Sequence, residues 1–404
     1  MPEQHADLSA DVVILGAGMG GFYAFTSLAK ALRQRGMRKK VILVDSQDTF
    51  VFIPLLHEVT ADEVSAETIG VPLAELARRA GQQFVRARVE HIDTASRTVR
   101  TSAGTIAYNY CVVALGSGVN YLNIPGAREQ SLGLRTLPMA LAIRQRIGSF
   151  IKEGRAANIV IVGGGYTGVE LAGELATIAR HFRRAGLRGK TSQLSLHLVE
   201  FNERVLPTLP EAAQRKAMRR LQALGVMLHM RASAKAVFPD RVELADSTQL
   251  ASDLTIWCVG VKSSAEQFLD PDLQTKGRIA VTSYLAATNN DHVYAIGDMA
   301  LGTNPDDGQP YPQLGSVAYD QGEYVGRRLA ALLAGEKPAM AFHFTLPGVL
   351  VPIGKGYGLG IFGTTILEGF LPWMLRKLVF LYYLPGWRRK MLLVSRWLLH
   401  LRRR

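Results

Sequence analysis

Two places in the chain repeat one hydrophobic pattern. In "DVVILGAGMGGFYAFTSLAKAL" a four-residue apolar run, Val12 to Leu15, meets a glycine turn, and apolar residues at helical spacing follow from Phe22. A second apolar run, "KKVILVD", then ends in Asp45. The same order returns in "NIVIVGGGYTGVELAGELATIA", where "QLSLHLVE" supplies the second strand and ends in Glu200. Unbroken apolar runs of this length predict strands buried on both faces, and their alternation with helical stretches predicts parallel α/β units. Further apolar runs at "YNYCVVALGS" and "LTIWCVG" read as central strands. "GSVAYDQGEYVGRRLAALLAG" has helical spacing, and "GYGLGIFGTTILEG" reads as a hairpin or short strands.

The last stretch, "FLYYLPGWRRKMLLVSRWLLHLRRR", departs from this pattern. Its charge-free part, Leu378 to Trp387, is interrupted by Pro385 and Gly386, whereas a bilayer span needs about 20 apolar residues. Beyond the break, Trp387, Met391, Val394, Leu398 and Leu401 form one apolar stripe, and Arg389, Arg396, His400 and Arg403 line another face. The pattern predicts amphipathic helices lying on anionic lipid, with Trp373, Trp387, Arg388, Arg389 and Trp397 at the membrane surface. A helix packed on its own domain or on a dimer partner is the alternative.

The glycine spacing gives the two repeated units their chemistry. Gly16-x-Gly18-x-x-Gly21, with Gly20 inside it, and Gly163-x-Gly165-x-x-Gly168 each open a helix directly after a strand. In such a unit the first glycine makes the tight turn and the second admits a pyrophosphate. The third lets helix and strand pack closely, and the helix N-terminus attracts phosphate. Asp45 and Glu200 sit where an acid accepts hydrogen bonds from a ribose. An acid there favours a free 2′-hydroxyl over a 2′-phosphate, hence NADH over NADPH, and nearby Arg204 reads as a surface charge. Between the second helix and its strand lies a basic insert, "RHFRRAGLRGKTSQ". Two fingerprints imply two dinucleotides, and a flavin with a nicotinamide is the usual pairing.

Composition narrows the remaining classes. A chain of 404 residues calls for two or more domains, and its net charge of +13 suggests an anionic partner. Cys111 and Cys258 are far apart and each lies in an apolar run, so they read as buried strand cysteines, with a reactive thiol as the alternative. The histidines show no metal-ligand spacing, no metal site is expected, and His57, His197 and His229 read as structural. No hydrolase motif is present. The N-terminus lacks the basic and apolar regions of a secretory signal.

The chain resembles the two-dinucleotide flavoprotein superfamily. "YNYCVVALGS", with Ala114-Leu115-Gly116, is similar to the strand that leads out of the flavin domain. "DHVYAIGDMA", with Gly297 and Asp298, is similar to the late flavin motif whose acid contacts the ribityl chain. Within the superfamily the chain looks most like the type II NADH:quinone oxidoreductases, through "FVFIPLLHEVTA", "GGGYTGVELAGEL" with Thr167, "VEFNERVLPTLP", "WCVGVK" with Gly260, and the basic aromatic C-terminus. The resemblance covers essentially the full length. It implies non-covalent FAD, NADH, a membrane quinone and a homodimer, with electron transfer that pumps no protons. It also implies a peripheral protein on the cytoplasmic face of the inner membrane, with no nucleic acid bound. One departure stands out. Where the family carries Ala-Gln-x-Ala-x-Gln beside the quinone, this chain has "GSVAYDQG", so Ser316 and Asp320 replace the two glutamines and Gln321 adjoins the second. Ser316, Val317, Tyr319 and Asp320 are the candidate quinone-side residues. A shifted site, a different quinone or another acceptor all stay open, as do ferredoxin or rubredoxin reductases, sulfide:quinone chemistry and a non-catalytic role like that of apoptosis-inducing factor.

Quinone reduction consumes protons, so an ionisable residue beside the flavin is expected. The resemblance puts Glu170 in that role; the alternative is a glutamate favoured by the helix dipole. Asp320 is either a second proton donor or a helix-surface acid, and Glu174 reads as a surface or capping partner. Pro54, Leu55 and Leu56 either pack near the isoalloxazine ring or wedge their loop into the core. The expected architecture is α/β. A FAD domain, 1–125 resuming at 270–335, encloses an NADH domain, 126–269, and a C-terminal membrane-anchoring region, 336–404, follows.

Overall fold

The computed structural model describes residues 7–185, 193–263, 268–269, 274–337 and 340–402. Arg403 and residues 186–192 of the basic insert lie outside them. The chain forms two compact units, each drawn from three separate stretches.

The first unit takes Met1–Val51, Gly70–Gly118 and Lys262–Thr345. Its parallel strands run in the order Asn290–Ala295, Gly104–Val113, Leu8–Leu15, Val41–Asp45 and Gln83–Arg86. Val12 pairs with Tyr110 on one side and Val41 on the other, which sets the first glycine turn at the carboxyl edge of the sheet. Val12, Val13, Ile14 and Leu15 are wholly buried, as an apolar run covered on both faces requires. The fingerprint helix Met19–Gln34 packs along the late helix Gly315–Leu333. Two glycines of the late helix make the approach possible. A Cβ on Gly322 would fall on the backbone oxygen of Gly20, and one on Gly326 would lie 2.6 Å from that of Ala24.

The second unit takes Phe52–Ile69, Val119–Val261 and Leu346–Arg404. Its parallel sheet has the order Ser131–Gly133, Leu254–Trp257, Ala157–Val162, Leu194–Val199 and Val226–His229. The helix Leu137–Glu153 begins where Thr136 accepts a hydrogen bond from the Met139 amide, and it stops at Gly154 in the left-handed region. The C-terminal stretch opens with an antiparallel meander, Val349–Pro352, Gly358–Phe362 and Thr365–Gly369. Two helices complete it, Phe370–Tyr383 and Trp387–Arg402. The first ends at Leu384, which is extended because Pro385 follows.

The two units divide the chain differently from the expected domains, by up to ten residues at the shared cuts and more widely at two places. Phe52–Ile69, expected in the FAD domain, packs in the second unit, and so does the C-terminal stretch, expected as a separate region. In both cases apolar side chains find cover far along the chain: Phe52 meets the ring of Phe380 edge-on at 5.7 Å.

Candidate functional site

The two glycine turns carry the same geometry. In the first unit Gly16 has φ +93°, and a Cβ on Gly21 would collide with its carbonyl oxygen. Nothing lies within 4 Å of a Cβ placed on Gly18, the residue that opens the helix, so the first helical amides face open space where a phosphate fits. Asp45 accepts from the Ala17 amide at 2.6 Å and from the Gln47 amide at 2.7 Å. A cleft beside it is lined by Gly16, Asp45, Ser46, Arg88, Leu115 and Phe268. In the second unit Gly163 has φ +108°, a Cβ on Gly168 would collide with its carbonyl, and the position of Gly165 is open. Glu200 accepts from the Gly164 amide at 2.6 Å and from the Asn202 amide at 2.8 Å. Each acid therefore clamps the residue between the first two glycines and is held at the cradle's edge. Thr167 is exposed in the first turn and Gly260 is exposed at φ +47°. Arg204 bonds Glu203 at 3.2 Å and Glu211 at 3.4 Å, so its charge is engaged by neighbouring acids.

The rest of the first unit's candidates lie close together. The Ser117 hydroxyl donates to the Asp298 carboxylate, and Gly116 and Gly297 both have positive φ. Gln321, which the sequence reading left beside the expected glutamine position, is the residue that turns inward. It is 1 % exposed and its side-chain oxygen accepts from the Gly297 amide at 2.6 Å, so it braces the motif that carries Asp298. The signal for this was its place one position past the expected glutamine. On the same helix Val317 is buried, while Ser316, Tyr319 and Asp320 are half-buried. The Tyr319 ring meets that of Tyr23 edge-on at 4.3 Å. Burial and the neighbouring Glu323 raise the Asp320 carboxyl above its ordinary range, with Arg327 opposing.

The second unit holds a buried cluster of charge that sequence reasoning did not find. Glu58, on the short helix Leu56–Thr60, accepts from the Trp397 indole at 2.7 Å and from Lys377 at 3.2 Å, with Arg376 at 3.8 Å. Arg376 donates to Glu170 at 2.9 Å and lies over the Phe380 ring. His57 sits between Glu170 at 3.7 Å and Glu58 at 4.0 Å. Lys377 is 3.9 Å from Glu63 and stands over the rings of Trp373 and Trp397. Glu174, expected at the surface, is 3 % exposed, because its helix face is covered by segments from both ends of the chain. Pro54 is half-buried in the turn just before this cluster.

Trp373 and Trp397, expected at a membrane, are likewise buried, packed against Lys377 and, for Trp397, bonded to Glu58. Trp387 alone of the three stands out, at 71 % exposed, with Arg388 over its ring. Phe370, Leu371, Leu378, Tyr382, Met391 and Leu398 are exposed on the same two helices.

Burial, with Arg376 beside it, lowers His57 from 6.5 to about 3, so the folded protein keeps it neutral. The unfolded chain takes up that proton below about 6.5. Stability present above pH 6.5 is therefore lost as pH falls toward 3. The melting midpoint of His57→Gln is expected to fall less between pH 7 and pH 4 than that of the natural protein; equal slopes would contradict the burial account.

Two parallel sheets, each with its own glycine turn and clamped acid, define an oxidoreductase fold built on two dinucleotide sites. The chain belongs to the pyridine nucleotide-disulphide oxidoreductase family, whose model matches residues 10–322. It is 29 % identical to demethylphylloquinone reductase NdbB of Synechocystis over 97 % of this chain and 96 % of that one. It is 27 % identical to the type II NADH:quinone oxidoreductase Ndh of Mycobacterium tuberculosis over 96 % and 87 %. Its fold is shared with NDH2 from Plasmodium falciparum solved with NADH, at a TM-score of 0.83 and 15 % identity over 96 % and 97 % of the two chains.

Proposed function

We propose that this chain is a type II NADH:quinone oxidoreductase, which uses FAD to oxidise NADH and reduces a membrane quinone by two electrons without pumping protons. The observation that carries this is the pair of acid-clamped glycine turns within a chain that matches quinone-reducing relatives nearly end to end. Gly16, Gly18, Gly20, Gly21, Asp45, Ala114, Gly116, Gly297 and Asp298 would hold FAD, and Gly163, Gly165, Thr167, Gly168, Glu200 and Gly260 would hold NADH. When bound, FAD accepts the hydride equivalent of NADH and passes two electrons to the quinone. The chain's own part is placement and exclusion of water, which supply most of the rate in such transfers. Glu170, 15 % exposed and partnered by Arg376, would give a proton to the reduced quinone, with Asp320 as a second candidate on the first unit. Ser316, Val317 and Tyr319 would line the quinone side.

Sulfide:quinone chemistry is disfavoured because it needs a reactive thiolate pair. Burial raises the thiol of Cys111 and pushes Cys258 up to about 12, which leaves both protonated and inert. The test is NADH oxidation by the detergent-purified protein with a short-chain quinone, against ferricyanide or oxygen alone. Quinone should accelerate turnover, and flavin reduction by NADH without that acceleration would sink the quinone assignment.

The exposed face of the last two helices supports a peripheral membrane position. Among the described residues no helix is long and apolar enough to cross a membrane. Trp387, Met391 and Leu398 with Arg388 and Arg389 would lie on anionic lipid at the cytoplasmic face of the inner membrane. A homodimer belongs to the same reading. Deleting 369–404 would also strip Arg376, Lys377 and Trp397 from Glu58, so point variants on the outer face are the cleaner probe. Replacing Trp387, Met391 and Leu398 together by serine should weaken co-sedimentation with anionic vesicles about tenfold or more. Unchanged binding would assign that face to protein packing.

A further inference from the structure

Among the described residues, four carboxyl groups in the second unit, Glu58, Glu63, Glu170 and Glu174, face two basic side chains, Arg376 and Lys377. His57 between them is neutral. With every carboxyl ionised the cluster would carry two surplus negative charges in a site where Glu58, Glu63, Glu174 and Arg376 are each 5 % exposed or less. Uncompensated charge so far from water is strongly disfavoured, and the group adapts by binding a proton.

Geometry selects which carboxyl keeps it. Glu58 accepts from Lys377 and Trp397, and Glu170 accepts from Arg376, which opposes the upward push of burial on its carboxyl. Glu63 has Lys377 at 3.9 Å. Glu174 has an oxygen, Oε2, that is buried with no hydrogen-bond partner among the described residues, as is Oε1 of Glu63, but unlike Glu63 it has no cation within 4 Å among the described residues. The charged groups that bear on it are Glu63 and Glu58 from Phe52–Ile69, and Lys377 and Arg376 from the helix Phe370–Tyr383. Arg220 on the adjoining helix is turned away, donating to the carbonyls of Ile353 and Lys355.

We propose that Glu174 holds a proton at neutral pH and is the inner store of a relay whose outer member is Glu170. The two lie four residues apart on the helix Tyr166–Ala185, hence on one face, and Glu170 is the more exposed of the pair. Burial, and then the charge of Glu63, raises the Glu174 carboxyl well above its ordinary range, in accord with this placement. The use of the store rests on the quinone-reductase reading. Reduction of a quinone to a quinol takes two electrons and two protons. NADH supplies the electrons and one proton as hydride, and the second proton comes from Glu170. Glu174 reprotonates Glu170, and the Glu174 carboxylate then takes a proton from water.

The test is infrared spectroscopy of the intact holoprotein at neutral pH. The natural protein should show the carbonyl band of a buried, protonated carboxylic acid, shifted down in D2O. The band should be absent from Glu174→Gln and present in Glu174→Asp, which retains the acid and controls for folding together with retained flavin absorbance. In Glu63→Gln, with one negative charge fewer, the band should titrate away at lower pH. Quinone reduction by Glu174→Gln should slow about tenfold in kcat with the KM for NADH unchanged, less than the loss of a direct proton donor because solvent still reaches Glu170. No band in the natural protein, or a band that survives in Glu174→Gln, overturns the proposal. A natural protein that shows the band yet never reduces quinone would overturn the functional reading and leave the proton store in place.

Discussion

Arg376→Ala is expected to destabilise the protein by about 3–5 kcal/mol, the cost of stripping the partner from buried charge. Arg376 is 3 % exposed, bonds Glu170 at 2.9 Å, stands 3.8 Å from Glu58 and covers the Phe380 ring. Truncation leaves two buried carboxylates short of a cation and opens a cavity beside that ring. Arg376→Lys keeps the charge but loses the planar stacking, so it should recover only part of the loss. Adding Glu170→Gln to Arg376→Ala should restore part of the stability, because the second change removes one of the two charges that the first one orphans. Thermal or urea melting reads all four proteins. A midpoint for Arg376→Ala close to that of the natural protein would mean that water reaches the cluster.

Gly168→Ala should weaken NADH binding roughly 100-fold while leaving FAD loading intact. Its Cβ would collide with the carbonyl oxygen of Gly163, a residue so tightly seated that a Cβ on it would itself lie 2.8 Å from the backbone of Cys258. The helix must therefore move off the strand, carrying the phosphate-binding amides with it. Gly21→Ala repeats the collision in the first unit, against Gly16, and should instead lose FAD. The KM for NADH and the flavin absorbance separate the two outcomes. An unchanged KM in Gly168→Ala would place the nicotinamide nucleotide elsewhere.

What could be seen in the sequence follows from how local each requirement is. The glycine turns are visible because a tight turn, a phosphate approach and a helix–strand contact each demand glycine at a fixed offset. The acids Asp45 and Glu200 are visible because they end the next strand. Glu174 was not. Two glutamates four apart on a helix look the same whether water or protein covers them, and the charged groups that bear on it come from residues 58–63 and 376–377. The tail misled for a related reason: tryptophan among arginines suits a lipid surface, yet Trp397 spends its N–H on Glu58 and Trp373 lies under Lys377. Gln321 lay one position from where the family pattern looked for it, and only the folded helix shows that it turns to Gly297.

The contact between the first and last helices of the first unit has a consequence for synthesis. The Ser27 hydroxyl bonds the backbone of Glu323, 296 residues later. At a ribosomal rate of about 5–20 residues per second, the fingerprint helix waits roughly 15–60 s for its partner. Through that interval Phe22, Tyr23 and Phe25, buried in the finished unit, belong to an unfinished one. Glu58 waits longer still, until Trp397 has emerged. Both units are thus closed by the final part of the chain, and a polypeptide released early exposes hydrophobic surface in each, which marks it for chaperones and proteases.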